Sequence, residues 1–114
     1  MDRTEELQEK LDGSEDADLI MMSILEVFTE TEWVPDAGKY YTFIYIAKTP
    51  DKYYDEHPLV AVTSVEKWGF KGLNFHWGES RNYTWQEVVG ALHIINNDEI
   101  EYLRSLPYAK YRAK

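Results

Sequence analysis

With 114 residues, 44% of them apolar and 15% aromatic, the chain is long enough for one domain with a modest core. The absence of cysteine excludes disulfide frameworks, cysteine-ligated zinc and thiol catalysis. The net charge of −9 lies in residues 1–32, where eleven acidic residues face only Arg3 and Lys10, while the remainder is neutral and ends in the bases Arg104, Lys110, Arg112 and Lys114. Opposite charge at the two ends can draw them together or guide assembly.

Residues 1–18 are polar and charged, with Leu7 and Leu11 the sizeable apolar residues after Met1. Isolated turns of this length are marginal in water, so an acidic, disordered or frayed segment is expected here, followed by a single domain over 19–114. From Leu19 to Trp33 two periods compete. Ile20, Ile24 and Phe28 fit a helical stripe; Leu25, Val27, Thr29, Thr31 and Trp33 alternate with Glu26, Glu30 and Glu32. The β-branched alternation favours a strand over about 22–33. Pro35 to Gly38 is a turn, and Lys39 to Lys48, apolar on both faces, reads as a central strand. Thr49 to Lys52 breaks it, and the aromatic loop from Tyr53 to Pro58 is a candidate contact loop.

Leu59 to Trp68 and Lys71 to Trp77 read as two further strands joined at Gly69. Alternation through the second assigns Leu73, Phe75 and Trp77 to the core and Asn74 and His76 to the opposite face. Thr84 and Glu87 have capping-box spacing, which predicts a helix to about Ile95 with Val88, Ala91, Leu92 and Ile95 on its buried face. Asp98 and Glu101 predict a second helix, which Pro107 ends, and a short basic tail follows. Strands before helices imply an α+β fold: a small, strongly bent antiparallel sheet or SH3-like barrel of four to five strands, then two C-terminal helices. No apolar run reaches membrane-spanning length and no leader pattern opens the chain, so a soluble protein is expected.

Chemistry is sparse. The histidines, His57, His76 and His93, match no metal-ligand spacing, although Asp55 and Glu56 adjoin His57. No serine stands in a nucleophile elbow, and Gly69 and Gly72 lack the rest of a phosphate-cradling loop. Neither a catalytic residue nor a cofactor or metal is assigned. Arg81 precedes the predicted helix start, where it can hold an anion or simply pair with Glu79, and Tyr83 and Trp85 can pack on the strands. The expected binding residues are Tyr53, Tyr54, His57, Asn74, His76, Arg81 and Tyr83.

Four stretches, Tyr40 to Tyr45, Tyr53 to Val60, Gly69 to Trp77 and Arg81 to Trp85, together resemble small uncharacterised proteins of large contractile-tailed, T4-like bacteriophages over about residues 38–90. The resemblance implies a phage origin and a minor virion component or accessory protein, and it carries no catalytic residues. The leading expectation is a non-enzymatic protein–protein interaction protein, a phage virion or assembly component in the host cytoplasm or the particle, with a phage structural or host protein as partner and self-association open. Two alternatives stand beside it. The acidic front can mimic nucleic acid and block a basic host surface, or a small barrel can bind single-stranded nucleic acid through its aromatics. Sparse bases make nucleic acid the weaker partner.

Overall fold

Asp2 and Asp16 start the first two helices. The Asp2 carboxylate accepts from the Glu5 amide at 2.9 Å, opening α1 (Arg3–Leu11). The Asp16 carboxylate accepts from the amides of Asp18 and Leu19 at 3.0 and 3.1 Å, opening α2 (Ala17–Val27). Between them Asp12 turns the chain with a left-handed φ of 46°. The structure, a computed structural model, describes residues 2–48 and 53–113. The break expected over Thr49 to Lys52 therefore lies outside the described residues.

Both expectations for this end of the chain are corrected. Residues 3–11 are a capped helix, because Leu7 and Leu11 bury against α2 instead of facing water. Residues 22–27 belong to α2, because Ile20, Ile24 and Phe28 share one core. Only Thr31–Glu32 (β1) of the expected strand is extended.

The sheet follows. β2 (Tyr40–Tyr45), β4 (Leu59–Val65), β5 (Gly69–Asn74), β6 (Glu79–Thr84) and β7 (Val88–Ile95) join β1 in one antiparallel sheet of order β1-β7-β2-β4-β5-β6. β3 (Tyr53–Asp55) pairs with β8 (Tyr111–Ala113) as a separate two-stranded ribbon. A single C-terminal α-helix, α3 (Ile100–Ser105), follows a capping box in which Asn96 and Glu99 bond reciprocally.

The expected SH3-like barrel with two C-terminal helices is therefore wrong. A barrel needs its outer strands paired, and here β1 and β6 are sheet edges. The helix expected after Thr84 is a short 3₁₀ turn, Trp85–Glu87, leading straight into β7. Val88, Val89, Ile94 and Ile95 favour extended backbone, and Gly90 sits at φ +78°, outside the helical region. The "basic tail" is also built in: Tyr108 is fully buried and β8 is a strand.

Two cores flank β2. Tyr40 and Ile44 face α1, α2 and α3 together with Leu59 and Ile95. Tyr41, Phe43 and Tyr45 face the other side, with Val60, Val62, Phe70 and Tyr83. The rings of Phe43 and Tyr83 meet at 5.3 Å although β4 and β5 separate their strands, so the sheet curls around this aromatic core. Two glycines permit the close packing. A Cβ on Gly69 would stand 1.9 Å from the Tyr83 carbonyl oxygen, and one on Gly72 would stand 2.0 Å from Val60 Cγ1.

Candidate functional site

The curl leaves a cleft of about 360 Å³ between β6, the C-terminal end of β2 and β3. Tyr53, Tyr54, Asn74, Arg81 and Tyr83 line it, so five of the seven expected binding residues converge on one place. Tyr45, Asp55, Trp77 and Glu87 line it as well.

At the mouth, Arg81 stacks its guanidinium 3.5 Å from the Trp77 ring centroid. It also donates to Glu79 Oε1 at 2.6 Å and to the Tyr53 carbonyl at 3.2 Å, tying β6 to β3. The rings of Tyr53 and Tyr111 pack beside Trp77 at 6.1 and 5.0 Å. Tyr53 remains 57% exposed, so this aromatic cluster faces solvent with a planar cation on it.

The floor is a polar network. Asn74 Nδ2 donates to Asp55 Oδ2 at 3.2 Å and lies 3.3 Å from the Tyr83 hydroxyl, while its Oδ1 accepts from the amides of His76 and Trp77. Asp55 Oδ1 accepts from the amides of His57 and Lys110. Glu87 accepts from the Tyr45 hydroxyl at 2.7 Å, the Thr84 hydroxyl at 2.5 Å and the Lys48 amide, clamping the end of β2 to the turn before β7. Burial, with the Glu87 carboxylate adding to it, pushes the Tyr45 hydroxyl up to about 12, and burial likewise raises Tyr83. Both phenols are therefore neutral donors at ordinary pH, not bases.

His57 and His76 do not join the cleft. His57 is buried, its Nδ1 donates to the Tyr108 carbonyl at 3.1 Å, and its Nε2 lies 3.7 Å from Asp18 Oδ1. Expected in an exposed contact loop, it is instead buried, with its ring between the Tyr108 carbonyl and Asp18. His76 stands edge-on to Tyr108 with ring centroids 4.8 Å apart, in the turn after β5. Phe75 packs on the core as expected, but the parity within β5 is reversed. Phe70, Gly72 and Asn74 are buried while Leu73 is 37% exposed, so Asn74 is part of the cleft floor and not of an outer face.

Sequence reading missed Trp77, Asp55 and Glu87. Gly78, with φ +71°, marks the turn that removes Trp77 from the strand, and the spacing of Thr84 and Glu87 signals their contact without revealing that Tyr45 joins it. Among the described residues no group of three His, Asp or Glu side chains is arranged to hold a metal ion, and no helix is long and apolar enough to cross a membrane. No protein-family model matches the chain, and neither a curated protein nor a solved structure matches it.

Proposed function

We propose that the protein is a non-enzymatic protein–protein interaction protein, phage-encoded, and a minor virion or assembly component. The observation that carries this reading is the solvent-facing cluster of Tyr53, Trp77 and Tyr111 under the Arg81 guanidinium. Tyrosine, tryptophan and arginine supply a disproportionate share of binding energy at protein interfaces, because they bury large area at low entropic cost while keeping a polar handle. Here ring packing and the bonds of Arg81 to Glu79 and Tyr53 hold them in place before any partner arrives. The buried polar groups around the cleft make hydrogen bonds typical of structural support, and Tyr45 and Tyr83 are poor bases. That disposition favours binding over catalysis. The phage origin rests on the sequence resemblance over residues 38–90.

The test is mass spectrometry of purified particles from phage carrying this gene, with Trp77→Ala introduced. The protein is expected in wild-type particles, and truncating a hot-spot tryptophan should cost about 2 kcal/mol or more of binding, seen as marked loss from the particle at unchanged expression. Its absence from wild-type particles would remove the virion reading.

A further inference from the structure

We infer that residues 107–113 form a latch that opens as a unit apart from the six-stranded sheet, and that proton uptake by His76 promotes the opening. The latch goes beyond the interaction reading and does not depend on it.

Pro107 lacks an amide proton and stops α3, whose end is closed by the Leu106 amide donating to the Leu103 carbonyl at 3.1 Å. The chain then returns to β3. The Glu56 amide donates to the Lys110 carbonyl at 2.7 Å, the Lys110 amide donates to Asp55 Oδ1 at 3.2 Å, and β8 pairs with β3 over three residues. Two side-chain ties add to these: His57 Nδ1 donates to the Tyr108 carbonyl, and Lys110 Nζ lies 3.0 Å from both Asp18 carboxylate oxygens. None of these bonds belongs to the six-stranded sheet, so the segment can leave without breaking that ladder. A unit joined in this way opens at lower cost than the sheet itself. Tyr108 is fully buried with its hydroxyl 3.4 Å from Thr42 Oγ1, and withdrawing it sets most of that cost.

His76 is the proton-sensitive contact. It stands edge-on to the Tyr108 ring with centroids 4.8 Å apart, and both of its ring nitrogens are shut off from solvent without a well-formed hydrogen bond. A neutral imidazole tolerates such a place better than an imidazolium, which brings a charge and two donors. Burial opposes the charge most strongly, and Arg104 on α3 adds to it. Asp55 on β3 and the carbonyls of Leu106 and Leu103 favour the charge without balancing that loss. Withdrawal of Tyr108 returns the ring to water, where it protonates near pH 6.5. The open form therefore binds the proton more tightly, and opening becomes easier as pH falls below about 6.5. Tyr111 rides on the latch and packs on Trp77 at 5.0 Å, so each opening takes one ring out of the exposed aromatic cluster.

The experiment is amide hydrogen exchange of the full chain, read by NMR as protection factors at about pH 7 and about pH 5 across low urea concentrations. The Glu56 and Lys110 amides report the latch, and the Val62 amide, bonded to the Lys39 carbonyl, reports the sheet. The latch amides should exchange with little dependence on urea while Val62 depends on it steeply. Their protection should fall several-fold from pH 7 to pH 5, by no more than about tenfold per pH unit for one proton. His57, Asp18 and Asp55 also face the segment and remain in His76→Phe, so the difference between the two proteins isolates His76. The variant should keep the urea-insensitive opening and lose most of the pH dependence. Latch amides that share the urea dependence of Val62 at both pH values overturn the separate opening. An equal fall in protection in both proteins overturns the role of His76. If the variant fails to fold, the NMR titration of the His76 ring in wild type decides: a midpoint below about 6.5 supports the proposal, and one at or above it overturns it.

Discussion

His76 stands where taking up a proton is unfavourable. Neither ring nitrogen makes a well-formed hydrogen bond, and burial holds its pKa below the usual histidine value. Asp55 and the carbonyls of Leu106 and Leu103 pull the other way, and Arg104 adds to the depression. The unfolded ring protonates near pH 6.5 and the folded ring only at lower pH, so below that point the unfolded state binds more protons. The stability this ring permits is complete above about pH 6.5 and declines as pH falls toward the folded pKa. His76→Phe should remove that decline. Urea denaturation at about pH 7 and about pH 5 should show wild type losing more stability than the variant, and parallel losses would refute the assignment. At this scale the sequence is deceptive. Leu73 outward and Asn74 inward invert the expected parity, since Asn74 engages Asp55, Tyr83 and two amides at once. A buried asparagine supported by groups from two other strands and a turn has no local signature.

At the level of elements, α1 shows how a weak local signal becomes firm. Its i,i+4 leucines and Asp2 cap are visible in the sequence, yet a nine-residue helix is marginal alone. Packing on α2 stabilises it, with Lys10 and Glu26 paired at 2.8 Å on the rim. Leu7 is fully buried, so Leu7→Ala should cost about 2–5 kcal/mol and lower the melting temperature by several degrees. An unchanged transition would mean that α1 does not contribute to the cooperative fold. β7 fails in the opposite sense. Val88, Ala91, Leu92 and Ile95 have helical spacing, and only Gly90 and the β-branched pairs at either end argue otherwise. Tertiary pairing decides the matter: β7 lies between β1 and β2, where a strand satisfies its backbone on both sides over part of its length. The central position of β2, by contrast, is readable directly, since a strand apolar on both faces must be covered on both.

For the molecule as a whole, charge is divided between layers. α1 and α2 expose Glu5, Glu6, Glu9, Asp18 and Glu26, while the cleft opens on the side of β2 opposite those helices. The ends of the chain do meet, through Lys110 and Asp18 at 3.0 Å and through Arg3 and Glu99 at 2.6 Å. This arrangement changes how nucleic-acid mimicry must be tested. Deleting residues 1–18 would strip Leu7 and Leu11 from the core, and lost binding would then report unfolding. Glu5→Gln, Glu6→Gln and Glu9→Gln together neutralise an exposed face and leave that core intact. If the cleft is the working surface, the triple variant should enter purified particles much as wild type does, because distant exposed charges act only through a screened field. If the acidic layer itself competes for a basic surface, the same variant should lose most of its affinity for that surface, and wild-type binding should weaken steeply between about 0.05 and about 0.5 M salt. Measuring both proteins for incorporation into particles and for binding to polylysine separates the two, since a cleft variant such as Trp77→Ala should lose incorporation and leave polylysine binding untouched.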